Sequence, residues 1–267
     1  MAPLTPSLVA PFGHTDSISY PALLSRQVEE LWMDLYELIA YLDDYLRVRE
    51  VPDHPGAFNG LQIDGRRPVR RVALAVDACR YTAEAAIREE ADVLIVHHGL
   101  FWGQSAPITG ALYRRVEPLI RNGVALYSCH LPLDVHPECG NNAVLCRKLG
   151  LRITGSFGIV QGVSAGIIAE AETTGERLRE TLDAVLGTNT RWIAGSARQL
   201  RRVGILTGSG AEYAAEAAAA GCDALITGEG SHHSYLVAEE SGIHVFLAGH
   251  YATETCGIRA LQDHIRM

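Results

Sequence analysis

A chain of 267 residues with a formal net charge of −8 and 20% charged residues allows one large α/β domain or two lobes around a sizeable core. That acidic balance argues against a nucleic-acid or anionic-membrane role, since both need a basic footprint, and no apolar run approaches the ~20 residues of a membrane span. Cys79, Cys129, Cys139, Cys146, Cys222 and Cys256 form no CxxC pair and no dense framework, which fits reduced, mostly buried thiols in a cytoplasmic protein.

Residues 1–25 are rich in Pro and Ser and read as an N-terminal arm, disordered or ordered only on contact. The arm lacks the basic start and apolar centre of a secretory signal. Over 26–48, Val28, Leu31, Trp32, Leu35, Leu38, Ile39, Leu42 and Leu46 recur at helical spacing, predicting an amphipathic helix over a sheet. The segment 52–65, PDHPGAFNGLQIDG, reads as a loop with a short strand at its end. Residues 69–77 read as a strand and 80–90 as a helix. In DVLIVHHGLFW, residues 92–102, the apolar run 93–96 predicts a strand buried on both faces that ends in His97-His98-Gly99. A helix over 111–122 with Gly123 as its cap, and a short strand over 124–128, lead to Cys129-His130-Leu131-Pro132-Leu133-Asp134. Pro132 and Pro137 predict an irregular stretch there. Residues 141–149 read as a helix and 164–169 as a strand. Thr174 then caps a helix with Leu178, Leu182 and Val185 on its apolar face.

The second half echoes the first. Residues 70–99 align with 201–230 without a gap, matching Asp92 with Asp223 and Ile95 with Ile226. Downstream, His130 is followed four residues later by Asp134, and His250 four residues later by Glu254. A βαβ-rich unit used twice predicts two related lobes facing each other.

The repeat brings His and acid residues to strand ends, where α/β proteins bind ligands. His97 and His98 are adjacent and so suit two different partners, such as two metal ions. His250 and Glu254 follow a buried strand and, if helical, share one face with Cβ atoms ~5–6 Å apart. Asp134 holds the matching place in the first half. Any one of these residues is also explained by a solvated polar turn. Together, three imidazoles and two carboxylates make a mixed N/O set suited to Zn, Fe, Mn or Co rather than Ca or Mg. His130, separated from Asp134 by a proline, reads as lining the site, as proton donor or support. Glu229 matches His98 in the repeat and is placed to orient an imidazole or bind a ligand. His232 and His233 read as surface residues at a helix start, and Thr207-Gly-Ser-Gly-Ala as a tight turn. Cys129 has no evident base and does not read as a nucleophile.

FNGLQIDG, IVHHGLFW, CHLPLDVHPECGNNAVL, ALITGE and AGHYATETCGIRAL closely resemble the Nif-three-like family, whose members are often labelled GTP cyclohydrolase I type 2 homologues. The resemblance implies an α/β protein of two interlinked, internally related lobes. Their sheets are mixed and largely parallel, and the site lies between them. It implies a first lobe over 26–155 with the HHG and HLPLD motifs, and a second over 156–267 with ITGE and GHYATE. It also implies two divalent metal ions per chain (Zn, Fe or Mn) on His97, His98, Asp134, His250 and Glu254, and a homohexameric ring. Departures from the family are the long arm before Arg26 and the histidines of GSHHS after ITGE. The functional expectation is a two-metal hydrolase of a small nucleotide-like or heterocyclic substrate, with His130 and Glu254 catalytic. The competing expectation is a non-enzymatic metal-binding scaffold whose ring binds a protein or nucleic-acid partner.

Overall fold

The computed structural model describes residues 24–27, 33–102 and 106–266. The expected arm up to residue 23, and Val28, Leu31 and Trp32 of the expected first helix, lie outside the described residues. The chain runs through β1 (Leu24–Gln27), α1 (Leu35–Tyr45), β2 (Gly60–Ile63), β3 (Arg71–Asp77), α2 (Arg80–Arg88), β4 (Val93–His98), α3 (Gly110–Asn122), β5 (Ala125–Ser128), α4 (Leu131–Asp134) and α5 (Asn141–Lys148). It continues through β6 (Arg152–Val160), β7 (Val163–Thr173), α6 (Gly175–Leu186), β8 (Arg191–Ile193), β9 (Leu200–Ile205), a 3-10 turn, α7 (Ala214–Ala219), β10 (Ala224–Thr227), α8 (His232–Ser241), β11 (His244–Leu247) and α9 (His250–Ile265).

These strands form two mixed sheets, ordered β1-β3-β4-β5-β2 and β6-β7-β9-β10-β11-β8. The parallel character expected of them is confined to the central triplets, β3-β4-β5 and β9-β10-β11. Each triplet is flanked by antiparallel strands, β1 and β2 in the first sheet, β7 and β8 in the second. The repeat therefore extends beyond the aligned residues to the flanking strands. Its register is pinned the same way twice. Asp92 Oδ2 accepts the N–H groups of Arg70 and Arg71 at 2.7 and 2.9 Å, and Asp223 Oδ2 accepts those of Arg201 and Arg202 at 2.7 and 2.9 Å. Each aspartate ties the start of one parallel strand to its neighbour, which aligns the carboxyl ends where the histidines sit.

The core explains which faces the helices take. Val116 and Leu119 of α3 and Ala83 and Ala86 of α2 cover one face of the first sheet against Leu94 and Val96. On its other face, Leu35, Leu38 and Leu42 of α1 pack with Ile258 and Leu261 of α9 against Val72, Leu74 and Ile95. Cys256 of the same α9 enters the core of the second sheet, beside Ile226 and Phe246. A helix apolar on more than one side is one packed between elements. Thus α9, from the second half of the chain, joins both cores, and its N-terminal residues His250 and Glu254 fall between the sheets.

Two expectations need correction, and one strand was not foreseen. The first helix covers Leu35–Tyr45 rather than 26–48, and Arg26 lies in β1, paired with Val72. Asp34 stops the helix, since its carboxylate caps the Tyr36 N–H and Met33 bridges Val69 as extended chain. Its end comes at Leu46, after which Arg47 takes φ 55. Residues 131–134, expected to be irregular, form one helical turn. Pro132 sits in that first turn, where its missing N–H has no intrahelical partner in any case. Strand β6 had no clear signal among its glycines. It is made by a two-residue hairpin turn, Gln161-Gly162, with φ 49 and 86, the positive pair that a type I′ turn requires.

Candidate metal centre

Parallel pairing sets Asp77 of β3 beside His98 of β4, and Val96 beside Ser128 of β5, so three strands end at one edge. His97 and His98 leave β4 with ring centroids 4.6 Å apart, and His130 follows β5 with its ring 5.0 Å from His97 and 5.7 Å from His98. From the other sheet, β11 turns through Gly249, at φ 96, straight into α9. His250 and Glu254 then share one helix face, with His250 Nε2 3.0 Å from Glu254 Oε1. His97 Nε2 lies 3.6 Å from Glu254 Oε1 and 3.5 Å from Asp134 Oδ1, while His98 Nε2 lies 3.4 Å from Glu254 Oε2. All five residues expected to ligate metal therefore converge. They form two overlapping groups, His97-Asp134-Glu254 and His98-His250-Glu254, whose donor atoms lie within 4.8 Å of one another. His97, His98 and His130 form a third.

The imidazoles are held in one sense. Nδ1 of His97 meets the Cys129 carbonyl at 2.9 Å, that of His98 meets Asp77 at 2.8 Å, that of His130 meets Asp53 at 2.9 Å, and that of His250 meets Glu229 at 2.9 Å. A carbonyl or ionised carboxylate can only accept, so each Nδ1 carries a hydrogen and each Nε2 is the atom left to face the cluster, for a proton or a metal. Outer acceptors that fix a ring in this way are the usual support of a metal-binding histidine. Asp134 is steadied by Asn141, whose Nδ2 donates to Oδ1 at 2.8 Å.

Electrostatics shows what the cluster lacks. Burial disfavours charge on His97, yet the Asp134 and Glu254 carboxylates lift it to about 10. The hydrogen bond to Glu254 raises His250 to about 9 against the opposing effect of burial. Burial alone would raise Glu254, but His97, His250 and His98 hold it well below the usual carboxylate range. Glu254 is 3% exposed and His97 fully buried, and His97 Nε2 and Glu254 Oε2 have no hydrogen-bond partner. Buried, unpaired donor atoms and an unmet demand for positive charge fit a divalent cation. The donor set is nitrogen and oxygen, which fits Zn, Fe or Mn. Gly208 completes the wall at φ 72, where a Cβ would run into Glu254 Oε1. Thr207-Gly-Ser-Gly is thus a turn, as expected, that closes against the cluster.

A family model described as Duf34/NIF3 (NGG1p interacting factor 3) matches residues 33–267. The chain belongs to this family. It is 44% identical over 237 residues to a GTP cyclohydrolase 1 type 2 homolog of Halobacterium salinarum, covering 86% of this chain and 92% of that one. It is 42% identical over 231 residues to the protein of that name in Deinococcus radiodurans, covering 86% and 87%. Among solved structures, TTHA1606 from Thermus thermophilus aligns with a TM-score of 0.77 and 39% identity over 87% of this chain and 93% of that one. A structure described as protein ybgI, of unknown function, aligns with a TM-score of 0.81 and 36% identity over 87% and 93%.

In this DUF34/NIF3 chain His130, expected to line the site, lies among the imidazoles of the cluster. The one-turn α4 puts Asp134 back over it, with the Asp134 N–H bonding the His130 carbonyl at 3.2 Å. Glu229 orients His250, one of the two roles its place in the repeat suggested. His232 and His233 are exposed at the start of α8, as expected. Cys129 is buried, and burial pushes its thiol well above the ordinary range, which agrees with its not being a nucleophile. Sequence reasoning missed Asp77 and Asp53. Asp77 ends a strand paired with β4, so strand register could have found it. Asp53 lies in an aperiodic loop, and only the FNGLQIDG motif beside it marked that loop at all.

Proposed function

We propose that the chain is a dinuclear-metal-dependent hydrolase of a small nucleotide-like or heterocyclic substrate. The observation that carries this reading is Glu254, a buried carboxylate whose two oxygens face different histidines, Oε1 toward His97 and His250 and Oε2 toward His98. His97, Asp134 and Glu254 would hold one divalent ion and His98, His250 and Glu254 the other, Glu254 serving both. Such ions, when bound, activate water near neutral pH and polarise the bond attacked. Cys129, Asp77 and Glu229 fix the rings of His97, His98 and His250, so their Nε2 lone pairs point inward. His130, within reach of both groups, moves a proton between the attacking water and the leaving group. Trp102, 42% exposed and edge-on to His130 at 4.9 Å, supplies a flat wall for a planar substrate.

The name of the relatives, GTP cyclohydrolase 1 type 2 homolog, makes GTP the first substrate to try. The test is reconstitution of purified protein with Zn or Mn, metal analysis, and turnover of a nucleotide and heterocycle panel. Two metals per chain with release of a hydrolysed product is the expected result. A metal content well under one per chain after reconstitution refutes the dinuclear site. We also propose a homohexamer, which light scattering on the eluting protein tests directly. The family description, an interacting factor, favours the second reading of a metal-binding scaffold for a partner. Two bound metals with no turnover across the panel would select it.

A further inference from the structure

We propose that Asp53 is the positioning residue of His130, and that this carboxylate–imidazole pair holds His130 as a proton acceptor facing the donor cluster. The proton step assigned to His130 rests on the hydrolase reading, whereas the pair itself stands on geometry.

Asp53 is 5% exposed in its side chain and saturated with donors. Its Oδ1 accepts from His130 Nδ1 at 2.9 Å and from the His54 N–H at 2.7 Å. Its Oδ2 accepts from the Leu131 N–H at 2.9 Å and from Asn59 Nδ2 at 2.8 Å. Asn59 Oδ1 in turn accepts the His130 N–H at 2.7 Å. The loop before β2 therefore grips residues 130 and 131 by ring and backbone together, and Asp53 cannot rotate without breaking several bonds. These bonds keep the carboxylate ionised, with a pKa of about 2 despite its burial. An ionised carboxylate only accepts, so Nδ1 carries a hydrogen and, in the neutral ring, the lone pair lies on Nε2. Trp102, edge-on at 4.9 Å, and His54, at 5.9 Å, stand against the same ring and oppose its flipping.

Strand β2, which this loop leads into, is also keyed to the other histidine turn. Gln62 Oε1 accepts the Leu100 N–H at 2.8 Å and Gln62 Nε2 donates to the Phe58 carbonyl at 2.6 Å. A Cβ on Gly99 would run into that Gln62 side chain. FNGLQ thus aligns the turn after β4 with the turn after β5. On the hydrolase reading, His130 Nε2 takes a proton from the attacking water, breaking one O–H bond and forming one N–H bond. Asp53 balances the imidazolium. The proton then passes to the leaving group, and neutral His130 is restored with no net gain.

The test is long-range ¹H–¹⁵N spectroscopy of imidazoles in the zinc-loaded full chain, with His130 assigned by the His130→Gln spectrum. The expected result is a single Nδ1–H tautomer for His130. In Asp53→Asn the amide presents no charge to the ring, and the population should move toward the Nε2–H tautomer. Zinc content should stay at the wild-type value, and kcat for any substrate found in the panel should fall by ~10²–10⁴ with KM little changed. A wild-type Nε2–H tautomer overturns the proposal, even if the variant fails to fold. So does a tautomer unchanged in Asp53→Asn. Loss of zinc from Asp53→Asn as severe as from His97→Ala also overturns it, by making His130 a ligand. If no substrate is turned over, the hydrolase reading fails, and the tautomer still decides the pair.

Discussion

Glu254 is the residue on which the candidate centre depends, because both groups of donors share it. Glu254→Gln should lower occupancy at both positions, while His97→Ala and His98→Ala should each remove mainly one metal. Metal analysis after dialysis checks this, and equal single-site loss in all three variants would refute the sharing. Glu229→Gln should weaken binding at the His250 position by ~10–100-fold, the usual effect of removing an orienting acceptor, measured by competition with a chelator. Protons compete for the same atoms. Without metal, His97 at about 10 and His250 at about 9 both lie above the ordinary 6.5, so their contribution to stability is complete below pH 6.5 and lost as pH rises toward 9–10. Glu254, held below the ordinary 4.5, contributes above that pH and loses its contribution as pH falls. Metal replaces the imidazole protons, so the rise in Tm from zinc over chelator should widen from pH 6.5 to 9. A constant gap across that range would refute it. The five donors could be read from sequence because each directly follows a buried strand or lies one helical turn further on. Asp53 could not, since it meets His130 from 77 positions away, out of a loop with no period.

At the scale of elements, Asp92 and Asp223 do one job twice. Asp92→Ala and Asp223→Ala each leave two strand N–H groups without their acceptor, and each should cost about 1–3 kcal/mol. Chemical denaturation checks this, and a large difference between the two would mean that the repeat is not matched in energy. The repeated strands were legible because buried parallel strands are continuous apolar runs, as in 93–96 and 245–248. Of the flanking strands, β2 and β7 were legible as short runs, whereas β1, β6 and β8 were not. β6 is exposed over its first five residues and gains its place from antiparallel pairing with β7, a long-range contact that leaves little trace in local composition. The first helix was overextended for a related reason. Helical spacing ran on through Leu31 and Trp32, and only the cap at Asp34 marks the true start.

For the molecule as a whole, the second sheet begins at Arg152, yet a cut near residue 155 would not yield two independent cores. Ile258 and Leu261 of α9 belong to the core of the first sheet, and Cys256 to that of the second. Urea should therefore unfold the metal-free chain in one transition, followed alike by Trp fluorescence and circular dichroism. Two separated transitions would show that the sheets fold apart. The placement of α9 also has a consequence in time. A ribosome makes His97, His98, His130 and Asp134 well before His250 and Glu254, so the nascent chain first presents three imidazoles and one carboxylate without their shared partner. Metal captured then would sit in a half-built nest open to whichever ion is most abundant. On the dinuclear reading, docking of α9 would complete the donor set and would be the step at which one ion is preferred over another, making the order of translation part of how the centre would fill.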